Sequence, residues 1–355
     1  MGLWSNHRAR ISPHEDYGFF GPGSVTWKVW SYPTSLTVGF QRAVVVEELD
    51  PALVASVEAT RAIWDRPRSR YDRTIRYFAL LAFGDSRSAT EAADVLVKVH
   101  AKAVGAEPYS GERYDANDPR SQLWILLTGW HSVLYAYERF GPGPLTPEED
   151  EQYWNECAVA AELQTCDPAD VPRSREGVRR YFEEMRPSLS GSELARRTMA
   201  HLLTATVLVP SVPLPLRPAA WAVSRTLRTA TIATLPRWMR EMAGLRQSRL
   251  EDALIVPVMK VAFGAAALNP HLELLLLRGL SPSTVPVAGP VLLGLPPVKP
   301  ETMTPSLARE QLGFAKPAEA HLDFRARQRA RVFDEGLPPS DEGIVESEPI
   351  LGSIA

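Results

Sequence analysis

The segment Leu123 to Phe140 is apolar on nearly every face of the helix it must form. A helix that is hydrophobic all round is buried, so this one has to lie deep in the core. What surrounds it is helical as well. Strand-like alternation is scarce, while three- and four-residue apolar spacing recurs in Ser35 to Glu48, Pro51 to Ala62, Arg70 to Gly84 and Ala89 to Gly105. Thr146 stands before Pro147, with Glu148 and Glu149 in the first turn, which starts a helix that runs to about Leu163. Further helices are expected at Arg173 to Met185, Ser190 to Leu208, Leu216 to Thr234 and Ser248 to Ala267. The fold class is therefore all-α, a single large domain of roughly ten helices with globin-like packing and a Pro-rich C-terminal extension.

The chain divides into an N-terminal arm (1–20), a main helical domain (21–245), a helical and Pro-rich extension (246–334) and an acidic tail (335–355) expected to be mobile or to dock on a neighbour. From Leu280 to Pro300 the prolines read as an extended strap, and Pro317 opens a basic helix to about Phe333. The composition, 45% hydrophobic and 23% charged, is that of a globular chain with a real core. A net charge of −3 argues against nucleic acid as a partner. Two cysteines, Cys157 and Cys166, make neither a disulfide framework nor a metal motif, and the N-terminus shows no secretory pattern, so a cytoplasmic location is expected. His201 to Val223 and Ala253 to Leu277 are apolar but broken by prolines and charges. Neither reads as a transmembrane span, and the second suits peripheral contact with a membrane.

Two helices carry the chemistry. In Ala89 to Gly105, His100 shares the apolar stripe with Ala93, Leu96, Val97 and Val104. Burying an imidazole costs free energy unless a hydrogen bond or a metal satisfies it. Either explanation serves His100 taken alone. Upstream, Arg70, Arg73, Thr74, Tyr77 and Leu81 share one face of a helix ended by Gly84-Asp85, with Ser88 or Thr90 as the cap of the next. The resulting hairpin turns two arginines and a threonine toward the histidine, a cluster suited to an anionic ligand. The same arginines would also serve as an ordinary solvated face. His131 lies on the apolar Leu123 to Phe140 helix and reads either as a core histidine bonded to a backbone carbonyl or as a group at a cofactor. No Gly-rich phosphate loop, Gly-x-Ser-x-Gly elbow or His-Glu-x-x-His pair is present.

An ordered set of short stretches gives a resemblance. The set comprises Ser24-Val-Thr-Trp27, Arg70-x-x-Arg73-Thr74 with Phe83-Gly84-Asp85, His100-x-x-x-Val104-Gly105, Tyr114-Asp-Ala116-Asn-Asp118-Pro119 and Trp130-His131-Ser132. It continues through Leu145-Thr146, Tyr153-Trp154-x-Glu156, Val171-Pro172, Tyr181 to Pro187 and Leu235-Pro-Arg-Trp238. The chain resembles the family that joins the latex clearing protein, a rubber oxygenase, to the oxygenase MpaB, over about 220 residues from near Gly21 to Leu245.

That resemblance implies an oxygenase holding a b-type haem, with His100 as the iron ligand and Arg70, Arg73 and Thr74 on the oxygen side or at a haem propionate. His131 becomes a second cofactor-binding candidate. The implied reaction is dioxygen-dependent oxidation of a hydrophobic, isoprenoid-like small molecule. The alternatives are a catalytically silent helical protein that binds lipid, and a non-haem metal oxygenase. This sequence departs from the family's pattern at Arg73, where the family has lysine, and at Trp30, Asp50 and Leu126, where relatives often carry histidine. Arginine is a very poor iron ligand, so a water, an open position or another side chain is expected opposite His100.

Overall fold

The computed structural model describes residues 11–204, 212–342 and 344–354. It is all-α. The first half runs α1 (Val25–Trp30), a π-turn (Ser35–Gly39), α2 (Phe40–Glu47), α3 (Pro51–Thr60), α4 (Ala62–Asp65), α5 (Pro67–Phe83), α6 (Ser86–Ala101), α7 (Pro119–Phe140) and α8 (Pro147–Ala161). Then come α9 (Arg175–Met185), α10 (Glu193–Leu202), α11 (Arg217–Thr234), α12 (Arg237–Met242), α13 (Arg249–Ala267), α14 (Pro270–Leu280), α15 (Val285–Leu292), α16 (Pro305–Leu312), α17 (Leu322–Phe333) and α18 (Glu348–Leu351). The helices outnumber the expected ten because several are only one or two turns long. Between α6 and α7 lies an antiparallel pair of short strands, β1 (Val104–Ala106) and β2 (Arg113–Asp115), with Gly105 opposite Tyr114.

Helix α7 is the axis. Asp118 caps it by accepting from the Arg120 and Ser121 backbone N–H groups, and Pro119 opens its first turn. Its side chains join three separate parts of the core. Trp130 and Leu134 pack with α1, α5, α6 and α8, Trp124 packs with α2, α10 and α12, and Ala136 and Phe140 pack with α11 and α13. The π-turn crosses α7 at Gly39, where a Cβ would lie 3.1 Å from Val133 Cα, so a larger residue would push the two apart. Helix α8 starts with the expected device, a full capping box of Thr146 and Glu149. Glu156 on α8 accepts from the backbone N–H groups of Val25 and Thr26, so this carboxylate starts α1.

Several sequence expectations change. The α6 cap is Asp85, which accepts from Ser88 N–H, so neither Ser88 nor Thr90 is the cap. Asp85 follows the glycine that ends α5, and one short corner serves both helices. The Pro-rich stretch folds partly into α15, with prolines in its first turn and at Pro290. The helix expected from Ser190 to Leu208 is described only as α10, its end falling outside the described residues, as do the first ten residues of the arm. The rest of the arm is packed. Asp16 accepts from Gly18 N–H, Ser86 N–H and Ser86 Oγ, and Gly18 takes φ +68° because a Cβ there would meet the Gly84 carbonyl at 2.1 Å. Residues 14–18 then hydrogen-bond to 298–303, clasping the two ends of the chain together.

The tail differs most from expectation. It docks on its own chain, along the outer face of α5. Arg66 donates to Ile354 O, Ser69 Oγ to Ser353 O and Arg76 to Ile350 O, while Leu351 is buried. Lys98 pairs with Glu346 and Lys102 with Asp341. A basic helix face thus receives the acidic segment whose composition reads as disordered.

Candidate active site

Helices α5 and α6 run antiparallel, which brings the first turns of α5 beside the last turn of α6. There Arg70 faces His100. The end of α2 (Glu47, Glu48) and one side of α7 (Gln122, Thr128) close the site.

His100 lies deep in the fold yet is only half-buried, so its ring keeps some accessible surface. Burial first, and the neighbouring Arg70 charge second, push its pKa down to about 4, so it is neutral at physiological pH. Gln122 Nε2 lies 3.2 Å from its Nδ1 and donates to Ala116 O at 2.6 Å. Its Nε2 makes no hydrogen bond with the described residues. Arg70 is unsatisfied in the same way: its guanidinium has no hydrogen bond and no ion pair there. Five donors in a fixed fork, deep in the protein and uncommitted, are a receptor for an anion.

Glu47 and Glu48 answer Arg70 electrostatically from beyond ion-pair distance. Burial pushes Glu48 up to about 8 and Glu47 up to about 7, and the attraction of Arg70 offsets only part of this. One oxygen of Glu48 is buried without a partner. Glu47 Oε1 is 3.2 Å from Thr128 Oγ1, whose single proton has a nearer acceptor in Trp124 O at 2.8 Å. Thr128 Oγ1 shares that proton by donating to Glu47 as well and so holds the Glu47 pKa down somewhat, but burial outweighs that bond. A group whose folded pKa is raised contributes stability below its unfolded pKa and loses it as pH rises through the folded value. The native protein should therefore lose stability between about pH 5 and 8, and Glu48→Gln should flatten that loss by roughly 3 kcal/mol in urea unfolding at the two pH values. An unchanged slope would mean Glu48 is not held protonated.

The other expected residues are placed as follows. Thr74 Oγ1 donates to Arg70 O at 2.8 Å, so its proton is committed to its own helix. Arg73 is not in the cluster. Its guanidinium bonds to Gly352 O and Ser347 Oγ in the tail, which corrects the expectation that it faces His100. Arg73→Ala should release that segment, raising cleavage after Glu346 by a glutamate-specific protease several-fold, since local opening controls such cleavage. His131 bonds to no backbone carbonyl. Its Nδ1 is 3.2 Å from the Arg42 guanidinium, which also donates to Ser132 Oγ at 2.6 Å and lies 5.1 Å over the Tyr135 ring. Burial, then the Arg42 charge, hold His131 neutral, and its ring packs on Phe182. Its contacts are with Arg42, Tyr135 and Phe182, not with His100 or Arg70. Among the described residues no three His, Cys, Asp or Glu side chains converge to hold a metal ion unaided.

Sequence reasoning missed Glu47, Glu48, Arg42 and Gln122. Charged residues inside the apolar run Phe40-Gln-Arg42-Ala-Val-Val-Val-Glu47-Glu48 were the available signal.

A family model described as the catalytic domain of ER-bound oxygenase mpaB/B′ and rubber oxygenase matches residues 27–268, more than half of the chain. The chain belongs to this family. No curated protein and no solved structure gives a match. As a member of the mpaB/rubber oxygenase family, the protein has an oxygenase catalytic domain, whose reaction involves dioxygen and a small-molecule substrate. The matched range contains Arg70, His100, Glu47, Glu48 and Gln122, and it ends at the start of the α13–α14 turn.

Proposed function

We propose that the protein is a haem-dependent oxygenase that uses dioxygen to oxidise a hydrophobic small molecule, with His100 as the iron ligand. What supports this is the pairing of a neutral histidine whose Nε2 has no partner among the described residues with an arginine whose donors are uncommitted among the same residues. The donor chemistry fits a haem: one neutral imidazole suffices for the iron, and the Arg70 fork suits a propionate. Haem, when bound, supplies the dioxygen chemistry.

The chain's own residues do the rest. Ligation through Nε2 needs the proton of His100 on Nδ1, and because Gln122 turns its amide Nε2 toward that nitrogen, Gln122 has to swing away from Nδ1 for the iron to be held at the His100 Nε2. Glu47 and Glu48 hold protons near neutral pH, so either can give one up or take one back without a large change in free energy. Thr128 orients Glu47 for that exchange. With Arg73 turned to the tail, no charged side chain from that position competes for the face opposite His100.

No single helix among the described residues is long and apolar enough to cross a membrane, though α13 and α14, bent by 109°, pass a combined test of length and composition. Exposed apolar residues such as Trp221 on α11 and Val261 on α13 support peripheral membrane contact, which suits a lipid-like substrate. Titration of the purified full chain with hemin tests the proposal. A Soret band that saturates at about one haem per chain is expected. A flat titration of folded protein would leave the lipid-binding alternative, which the apolar cavity described next favours.

A further inference from the structure

A cavity of about 370 Å³ lies between the α1–π-turn corner and helices α11, α13, α14 and α15, away from the Arg70–His100 cluster. None of Arg70, Thr74, His100 or His131 lines it. Its volume is that of a small-molecule site. Its walls are apolar, built from side chains such as Trp30, Leu227, Phe263 and Leu277, and the one charged residue among those that line it is Glu273.

Glu273 makes no hydrogen bond and no ion pair with the described residues. Burial alone raises its pKa to about 8, and no cation on α11, α13, α14 or α15 offsets that rise. Tyr32 is the titratable group beside it, and its own pKa is raised by burial and then by Glu273. At neutral pH this carboxyl is therefore a hydrogen-bond donor in an apolar room. The mouth is marked by Val223 and Leu276, which line the cavity and are also about half exposed. They sit beside exposed Trp221, Val258, Val261 and Leu275 on the same three helices. A chain-like apolar molecule can enter without first crossing a polar rim.

We propose that this cavity is a ligand site distinct from the Arg70–His100 centre, taking a single apolar chain that ends in an uncharged oxygen acceptor, with Glu273 donating to that oxygen. Once Glu273 ionises, a carboxylate head would be repelled as a like charge and an amine head would be selected instead.

The test uses the full chain with 1-dodecanol, dodecanoate and dodecylamine as probes, read by thermal shift and tryptophan fluorescence. Dodecanol should bind saturably at about pH 6 and about tenfold more weakly near pH 10, the weight of one lost hydrogen bond. Glu273→Gln, which keeps a donor at every pH, should bind dodecanol equally at both. Ala262→Trp, which fills the cavity from an exposed position on α13, should lose dodecanol while staying folded. Non-saturable partitioning, undiminished binding to Ala262→Trp, or a preference for dodecylamine over dodecanol already at about pH 6 would overturn the proposal. Haem uptake is a separate measurement, and neither Glu273 nor Ala262 belongs to the Arg70–His100 site.

Discussion

His100→Ala should purify as a folded helical protein that retains no haem after hemin titration and desalting. Among the described residues no second histidine is placed beside His100, since His131 is held by Arg42, and Arg73 is turned to the tail. Loss of the only strong endogenous ligand removes the iron bond outright and leaves only apolar contact and the Arg70 pairing, so occupancy should fall by at least about tenfold. The fold should tolerate the change. The alanine gives up one contact with Gln122, which still donates to Ala116 O, and circular dichroism should match the parent. A His100→Ala protein with an unchanged Soret band would remove His100 as the ligand. Gln122→Leu is the companion variant. It should keep haem but alter its spectrum, since the amide that faces Nδ1 and orients the ring is gone.

The second large effect is on stability. Arg42→Ala should cost about 3–5 kcal/mol in urea unfolding, near the top of the range for point changes. Arg42 is 1% exposed and makes no ion pair with the described residues. Its guanidinium instead ties α2 to α7 through His131, Ser132 and the Tyr135 ring, and reaches Thr234 O on α11. Alanine leaves a cavity and strips the Ser132 hydroxyl and His131 Nδ1 of their partner. Arg42→Met fills the same volume without burying a charge and should cost no more than about 2 kcal/mol. The pH dependence separates the causes. His131 has a depressed folded pKa, so it contributes stability above about pH 6.5 that is lost as pH falls. Removing the Arg42 charge should soften that acid loss in the methionine variant. Equal costs for the two variants would assign the effect to the polar contacts rather than to volume.

Much of this architecture could be read from residue order. The apolar Leu123 to Phe140 run does become the buried axis, and Thr146-Pro147 does start α8. These features depend on neighbours within a few residues, which a sequence displays directly. The Arg73 side chain was misplaced for the opposite reason. Arg70 and Arg73 lie only a turn apart, and which of them points inward depends on a tail nearly three hundred residues away. The tail itself was misread because its composition lacks a core, while its partner is a charged helix face. Glu47 and Glu48 passed as the polar end of a helix, since nothing local shows that α7 and Arg70 enclose them. Asp85 was hidden by its neighbour Gly84, whose role in ending α5 accounted for the corner.

Docking of the tail also imposes an order of events on synthesis. The acceptor of the Arg76 side chain, Ile350 O, lies 274 residues further along the chain, and that of Arg73, Gly352 O, lies 279 further. At translation rates of roughly 5–20 residues per second, α5 waits well over ten seconds before its outer face is covered. During that interval α5 and α6 are already on hand while their outermost layer is missing. Until residues 347–352 emerge, the Arg73 and Arg76 side chains lack the acceptors they hold in the finished fold.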